Sequence, residues 1–183
     1  DYGIPPTSIP SVDPMQLLAL EVVSDAMKDA ALGDEFPMDR ERMSVVFGFS
    51  GGLGETGAQY ATRSELTRLM GEVPEEILTR LPEWTEDSFA GLLPNVSAGR
   101  VANRFDLGGS NFAVDAACAS SLTAVYSAVM ELESGRADAV IAGGIDVTQA
   151  PFGYLCFSKT QALSPRGICN TFDSSADGIV ISE

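Results

Sequence analysis

The 183-residue sequence contains no histidine. A catalytic cysteine or serine usually works with a histidine as its base, so neither a Cys-His nor a Ser-His arrangement can be completed within this chain. The same absence excludes a histidine-ligated zinc or iron site. The three cysteines, Cys118, Cys156 and Cys169, lie too far apart in sequence to form a CxxC pair. We therefore expect no metal site in this chain by itself.

Basic residues are also scarce: the sequence has 11 lysines and arginines and 26 aspartates and glutamates, which gives a net charge of −15. This balance argues against binding to nucleic acid or to an anionic membrane surface. The sequence has neither a recognisable signal peptide nor an apolar run of membrane-spanning length. An odd number of cysteines in a chain of this size predicts free thiols in a reducing compartment, so we expect a cytoplasmic protein.

A length of 183 residues fits one domain or part of a larger one, and 45% hydrophobic residues indicate a globular core. The chain starts without a methionine and without a strand ahead of its first predicted helix. It stops inside an apolar run, residues 179–183, that is typical of a strand. We interpret the chain as a segment of a longer polypeptide.

The first half of the sequence predicts a helix and then a strand. Asp13 is a typical capping residue and Pro14 suits a first helical turn. Spaced apolar residues carry this predicted helix to Gly33. Residues 43–49 (MSVVFGF) form a short apolar run that predicts a buried strand.

A polar region and an amphipathic segment follow. Residues 51–93, which contain the single tryptophan, Trp84, are predicted to be an insert with one or two helices. Residues 94–108 predict a short helix and a turn. Arg100 and Arg104 share one face of that helix at i,i+4 spacing, which we interpret as surface salt bridging in an acidic protein.

A glycine motif in the polar region has two possible interpretations. Residues 52–57 (GLGETG) match the GxGxxG pattern directly after a predicted strand, as a dinucleotide-binding turn would. That fingerprint also needs a second strand about 20 residues later, whereas residues 71–88 are polar and interrupted by proline. Glu55 would repel a pyrophosphate. A flexible surface turn is the favoured interpretation.

The most informative segment surrounds Cys118. Residues 111–117 (NFAVDAA) predict a buried strand, and residues 120–134 predict a helix capped by Ser120 or Ser121. One apolar stripe of this helix consists of Leu122, Val125, Val129 and Leu132. Cys118 then lies at the helix N-terminus, where free amides favour a thiolate and small neighbours admit a substrate. It is a candidate nucleophile; the alternative is a small buried residue.

The last third of the sequence predicts one more strand and two irregular segments. Residues 137–141 predict a strand that completes a βαβ unit with a parallel, right-handed crossover. Gly143 and Gly144 allow close approach of either a neighbouring helix or a ligand. Residues 150–158 predict an aromatic loop or short helix. Packing in the core is the default interpretation of its aromatic residues, and lining an acyl pocket is the alternative. Residues 163–178 are rich in turn-forming residues.

Five blocks of the sequence together form a recognisable pattern. They are residues 13–21 (DPMQLLALE), 95–108 (NVSAGRVANRFDLG), 115–122 (DAACASSL), 163–173 (LSPRGICNTFD) and 176–178 (ADG). In this order they resemble the β-ketoacyl synthase family, and most closely the ketosynthase domains of type I polyketide synthases and polyunsaturated fatty acid synthases. The block around the candidate nucleophile resembles the family's active-site signature. Arg166 and Ile168 replace the family's usual Asp and Arg, so we expect that loop to pair differently.

The resemblance implies an α/β, thiolase-like fold of two similar halves, each a mixed sheet covered by helices in α/β/α layers, that forms a homodimer. Residues 1–183 would be the N-terminal half without its first strand. Cys118 would be the nucleophile and its backbone N–H an oxyanion donor, while Phe157 would line the acyl pocket. The family's two catalytic histidines would lie in the other half.

The implied reaction is an acyl transfer followed by a condensation. Cys118 would take an acyl group from a thioester, and decarboxylation of malonyl-carrier protein would supply the carbanion that attacks it, in polyketide or fatty acid biosynthesis. The partner would be an acyl carrier protein that bears the phosphopantetheine, and the chain itself would bind no cofactor. By itself the segment would be inactive. The alternatives are a non-catalytic scaffold that sets chain length, and a cysteine hydrolase.

Overall fold

The computed structural model describes residues 2–32, 38–50, 52 and 54–181. The chain divides into two compact units, residues 1–146 and 147–183. The helices and strands of the first unit are α1 (Pro14–Asp29), β1 (Met43–Gly48), α2 (Gly54–Met70), α3 (Glu75–Leu78), α4 (Ser88–Leu92), α5 (Pro94–Phe105), β2 (Asn111–Val114), α6 (Ser120–Glu133) and β3 (Ala139–Gly144). The second unit contains α7 (Pro151–Lys159). Gly33, and residues 182–183 of the predicted last strand, lie outside the described residues.

Three parallel strands form the sheet of the first unit, in the order β2–β1–β3. Val45 of β1 lies opposite Asn111 on one side and Ile141 on the other. All of β1 is buried, as a central parallel strand covered on both faces requires. The predicted βαβ unit is present as β2, α6 and β3, with β1 inserted between its two strands. These pairings are all parallel, and the described residues contain no antiparallel strand of the kind a mixed sheet would include.

Helices cover both faces of this sheet. Successive residues of a strand point to opposite faces, so Phe47 and Gly48 mark the two sides of β1. On the Gly48 side, an added Cβ would collide with the backbone of Ser120 at the start of α6. On the Phe47 side, the ring borders a cavity of about 100 Å³ that Ala19 and Val23 of α1 also line. The expected α/β/α layering is therefore confirmed.

Helix α1 begins where the sequence predicted and ends earlier. Asp13 caps it, because its Oδ1 accepts a hydrogen bond from the N–H of Met15 at 3.0 Å. The helix ends at Asp29 and not at Gly33. Ala31 takes a left-handed conformation with φ of 51°, which turns the chain away from the helix axis.

Gln16 of α1 fastens the first helix to the segment between α4 and α5. Its Nε2 donates to the carbonyls of Ala90, Gly91 and Leu93 at 3.0, 3.0 and 3.2 Å. Its Oε1 accepts a hydrogen bond of 2.6 Å from Nε of Arg100. Arg100 thus joins two packed helices, which corrects the interpretation of that side chain as part of a surface salt bridge.

The described part of region 51–93 is helical and contains α2, α3 and α4, where one or two helices were expected. Tyr60 of α2 is buried and lies with its ring centroid 4.4 Å from that of Trp84. Its hydroxyl accepts a hydrogen bond from Ser88 Oγ at 2.8 Å and donates to the carbonyl of Glu83 at 3.1 Å. This aromatic pair packs α2 against the start of α4.

The second unit has no buried residue within its described part. Residues 150–158 contain the predicted short helix, α7, but Phe152 is 78% exposed, so core packing within this chain is the wrong interpretation. In the following loop, Nε of Arg166 donates to Oδ2 of Asp177 at 2.6 Å. This hydrogen bond is the main cause that lowers the pKa of Asp177. It involves Arg166, one of the residues that departs from the family pattern; that the loop pairs differently from other members stays a prediction.

None of the helices in the described part of the chain combines the length and hydrophobicity that a membrane span requires.

Candidate active site

A tight turn, residues 115–119, connects β2 to α6 and carries Cys118. The strand ends at Val114, three residues earlier than predicted, because the carboxylate of Asp115 accepts a hydrogen bond of 2.9 Å from the N–H of Ala117 and turns the chain. Ala117 has a left-handed φ of 50°. For an alanine this conformation costs about 1–2 kcal/mol, so surrounding contacts must hold it.

Ser120 does not cap α6 as predicted. The N-cap is Ala119, and α6 has no side-chain cap hydrogen bond. The Ser120 hydroxyl points back into the turn, where it accepts from the N–H of Ala116 at 2.9 Å and donates to the carbonyl of Ala117 at 2.6 Å. The side chain is buried, with 5% of the residue exposed. Ser120 therefore closes the turn and leaves the space in front of the helix to Cys118.

Cys118 is exposed at the edge of a cavity of about 280 Å³. The cavity lies at the carboxyl ends of β1 and β3, the edge at which open parallel sheets bind ligands. Its lining residues are Gly48, Phe49, Ser50, Ala117, Cys118, Ser120, Ser121, Gly144, Ile145 and Asp146. The alternative that Cys118 is a small buried residue is wrong for this chain.

Two glycines at the strand ends bring α6 close to the sheet. An added Cβ at Gly48 would collide with the backbone of Ser120, and one at Gly144 would lie 2.6 Å from Cβ of Ser121. Around Gly143 there is no atom within 4 Å of an added Cβ. The sequence predicts that either a neighbouring helix or a ligand is the reason for Gly143 and Gly144. For Gly144 the reason is the close approach of helix α6.

The backbone N–H of Cys118 has no hydrogen-bond acceptor among the residues that the structure describes. An exposed N–H on the residue that carries the thiol can donate to the oxygen of a thioester whose carbonyl carbon the sulfur attacks. Within the described ranges, groups of three or more His, Cys, Asp or Glu residues that could hold a metal ion are absent. Cys118 offers two chemical groups at this cavity, its thiol and its backbone N–H.

Residues 54–57 of the glycine motif form the start of a helix rather than a flexible surface turn, and Leu53 lies outside the described residues. Helix α2 begins at Gly54, inside the motif. The N–H of Thr56 donates to Oδ2 of Asp13 at 3.3 Å, so a buried carboxylate already occupies the position that a phosphate would take. The next strand along the chain is β2, which begins at Asn111. The dinucleotide-binding alternative does not fit this arrangement.

The other predicted site residue, Phe157, lies in α7 and is half-buried. It belongs to the second unit, whereas the cavity around Cys118 is built by residues of the first. Cys156 and Cys169 are also exposed and belong to the second unit. The acyl-pocket role of Phe157 stays a prediction.

Sequence reasoning missed three residues that shape this edge of the sheet. Gly48 looked like an ordinary strand residue, and Ser120 looked like a helix cap. Asp13 was predicted to cap one helix but caps two, because its second oxygen reaches Thr56 of α2. Two signals were available in the sequence. Gly48 is a glycine at the end of a predicted buried strand, and Ser120 is a serine directly after a predicted strand and turn.

The comparisons with known proteins agree with this geometry. The family model described as β-ketoacyl synthase, N-terminal domain, matches residues 2–183. The chain belongs to the β-ketoacyl synthase family. Over 195 aligned residues it is 33% identical to a polyunsaturated fatty acid synthase polypeptide of Thraustochytrium sp., a match that covers all of this chain and 7% of that protein. It is 34% identical to pikromycin polyketide synthase component PikAII of Streptomyces venezuelae, with 100% and 4% coverage.

Solved β-ketoacyl synthase structures have the same fold. The oxazolomycin ketosynthase domain OzmH KS7 of Streptomyces albus JA3453 matches with a TM-score of 0.69 and 25% identity, covering 98% of this chain and 28% of that one. A β-ketoacyl synthase from Burkholderia phymatum STM815 matches with a TM-score of 0.72 and 24% identity, covering 98% and 42%. The predicted thiolase-like fold class is confirmed. The chain spans less than a tenth of the two curated relatives.

Proposed function

We propose that the polypeptide containing this chain is a β-ketoacyl-acyl-carrier-protein synthase, and that Cys118 holds the growing acyl group. The observation that carries the proposal is the exposed Cys118, in a cavity at the carboxyl edge of the sheet, with a backbone N–H that has no acceptor among the described residues. The family to which the chain belongs supports the same assignment.

In the first step, the thiolate of Cys118 attacks the carbonyl carbon of an acyl thioester. The oxygen becomes an oxyanion, to which the N–H of Cys118 donates a hydrogen bond. The C–S bond of the incoming thioester then breaks, the carrier's phosphopantetheine thiol leaves and takes up a proton, and the acyl group stays on Cys118.

In the second step, malonyl-carrier protein loses carbon dioxide and the resulting carbanion attacks the carbonyl carbon of the acyl-Cys118 thioester. A β-ketoacyl-carrier product leaves, and the thiol of Cys118 is regenerated. The chain contains no histidine, and we propose that the histidines that assist decarboxylation and proton transfer in this family come from outside these 183 residues. We therefore propose that the segment by itself is inactive.

The relatives support a role in either fatty acid or polyketide biosynthesis and do not distinguish between the two. One is named for a polyunsaturated fatty acid synthase and another for a polyketide synthase, and we propose one of these two biosynthetic roles. We further propose that the polypeptide forms a homodimer, acts on substrates carried by an acyl carrier protein, uses Phe157 to line the acyl pocket, and works in the cytoplasm.

The decisive test is the intact mass of the parent polypeptide after incubation with a long-chain acyl thioester. We expect one acyl adduct in the parent and none in Cys118→Ala, a complete loss because the nucleophile is removed. Cys156→Ala, which removes another exposed thiol, is the matched control and should keep the adduct. An adduct that persists in Cys118→Ala would contradict the assignment. No adduct on a folded, dimeric parent would favour the non-catalytic scaffold.

A further inference from the structure

The residue directly before Cys118 has a conformation that its side chain disfavours. Ala117 has φ of 50°, a left-handed value that glycine adopts readily and alanine does not. The turn contains no glycine that could relieve this. The conformation must therefore be held by hydrogen bonds from neighbouring groups.

Ser120 supplies two of those hydrogen bonds with a single hydroxyl. It accepts from the N–H of Ala116 at 2.9 Å and donates to the carbonyl of Ala117 at 2.6 Å. The hydroxyl belongs to a buried residue, whereas Ala116 and Ala117 are exposed, so both hydrogen bonds are part-buried. The other side chain that binds the turn, Asp115, is exposed and makes one contact of 2.9 Å to the N–H of Ala117.

The carbonyl of Ala117 and the N–H of Cys118 belong to the same peptide unit. The described chain contains no cis peptide bond, so this unit is planar and trans, and its C=O and N–H point in opposite directions. The Ala117 carbonyl accepts two hydrogen bonds, one from the Ser120 hydroxyl at 2.6 Å and one from the Ser120 N–H at 3.0 Å. Groups that hold the carbonyl on one side also hold the direction of the N–H on the other, and the hydroxyl makes the shorter of the two contacts. Donation to the carbonyl also polarises the unit and strengthens the N–H as a donor.

We propose that Ser120 is a positioning residue that aims the N–H of Cys118, by holding the Ala117 carbonyl and the left-handed turn. The inference rests on the proposed function, because the direction of the N–H matters only if it donates a hydrogen bond to an oxyanion. Ser120 touches no reacting atom and acts through the Ala117–Cys118 peptide.

Two reactions of the Cys118 sulfur distinguish an effect on the direction of the Cys118 N–H from an effect on the position of the thiol. Acylation by a long-chain acyl thioester develops an oxyanion, whereas alkylation by iodoacetamide displaces iodide from a saturated carbon and develops none. In the parent polypeptide, Ser120→Ala should slow acylation at least about tenfold, because a misaimed oxyanion donor loses much of its effect. Alkylation should change less than about threefold, since the thiol itself remains.

Ser127→Ala is the matched control. Ser127 lies on the same helix and its hydroxyl also donates to a backbone carbonyl, that of Thr123, at 2.9 Å. Its hydroxyl makes no hydrogen bond to the turn among the described residues, so both rates should stay at parent values. If Ser120→Ala does not fold, the nearly isosteric pair Ser120→Thr and Ser120→Val gives the same comparison, with acylation retained in the first and lost in the second.

A rescue variant tests the turn itself. In the double variant Ser120→Ala with Ala117→Gly, glycine adopts the left-handed conformation without help, so acylation should recover severalfold over Ser120→Ala alone.

Four outcomes overturn the inference. Parent-like acylation by Ser120→Ala would show that aim does not depend on this hydroxyl. An equal fall in acylation and alkylation would show that Ser120 places the thiol rather than the amide. A double variant as slow as Ser120→Ala would show that the left-handed turn is not what the hydroxyl holds. A parent that is alkylated but never acylated would overturn the proposed function and this inference together, which distinguishes that failure from the other three.

Discussion

Two helices start at the same edge of the sheet, and the structure treats their N-termini in opposite ways. Helix α2 follows β1 and α6 follows β2, and because these neighbouring strands are parallel, both helices begin at the carboxyl edge. The start of α2 is closed by the buried carboxylate of Asp13. The start of α6 has no side-chain cap and an exposed cysteine in front of it.

The difference shows that a conspicuous motif and a reactive site need not coincide. The GxGxxG pattern occurs at the α2 start, yet there Gly54 serves packing: an added Cβ at Gly54 would lie 2.7 Å from Oδ2 of Asp13. The α6 start has alanines and serines instead, and its amide and thiol stay accessible. The difference between the two helix starts comes from the carboxylate of Asp13, which lies 43 residues from Thr56 in sequence and closes the start of α2.

The largest effect on this comparison should come from moving the start of α6. In Gly48→Ala the new methyl collides with the backbone of Ser120 and Ser121, which cannot rotate away. Overpacking of this kind costs about 1–3 kcal/mol, and we expect the acylation rate of Cys118 to fall at least about tenfold as the turn shifts. The thermal midpoint of the parent polypeptide and the acyl-adduct rate are the measurements.

Gly143→Ala is the control for that substitution. It adds the same methyl one residue before Gly144, at a position beside the cavity of about 100 Å³ where no atom lies within 4 Å. We expect stability and acylation close to those of the parent. If Gly48→Ala behaved like Gly143→Ala, the close approach of α6 to β1 would not be what positions Cys118.

A smaller effect should follow from opening the start of α2. Asp13→Ala removes the acceptor for Met15 and Thr56 at once, and loss of a cap costs about 1–2 kcal/mol. Hydrogen exchange of the α2 amides in the parent polypeptide should speed up roughly 5- to 30-fold. The acylation rate of the folded protein should not change, because Asp13 makes no hydrogen bond to the Cys118 turn among the described residues.

Asp39→Ala is the matched control for a cap. Asp39 also accepts a hydrogen bond from a backbone N–H, that of Glu41 at 3.1 Å, but it is exposed and caps a single short turn. We expect α2 exchange to stay at the parent rate. Unchanged α2 protection in Asp13→Ala would mean that the carboxylate does not close that helix start.

The smallest effect should appear at the opposite, amino edge of the sheet. There Nε of Arg42 and Oδ2 of Asp138 lie 2.7 Å apart, just before β1 and β3. The hydrogen bond from Arg42 lowers the pKa of Asp138 in the folded protein. Its stabilising contribution is therefore present above the unfolded pKa and is lost as pH falls through the lower, folded pKa, in the window below about pH 4.

The measurement is the thermal midpoint of the parent polypeptide at pH 5 and at pH 3. Asp138→Asn should reduce the drop between the two values slightly, because both groups are exposed and screened by solvent. Asp25→Asn, at another exposed pair, with Lys28, is the control. A steeper drop in Asp138→Asn than in the parent would contradict the sign of this argument.

Helix α6 shows how far sequence patterning could go. Its period was correctly predicted, and it ends within a residue of the expected position. The apolar stripe does not indicate which face meets the sheet: Ala124 and Ala128 are buried, whereas Leu122 is 74% exposed. Small side chains let the helix lie close to the glycines of β1 and β3, so the larger apolar stripe faces the other way.

The sequence by itself determined the helices and strands around the site, the family, and the candidate nucleophile Cys118, because these depend on local periodicity and on residues in one contiguous motif. The tertiary structure alone decided which helix start stays open and which is closed. It also decided which way Ser120 turns its hydroxyl. Those outcomes depend on backbone geometry and on contacts between residues such as Asp13 and Thr56, which no local pattern records.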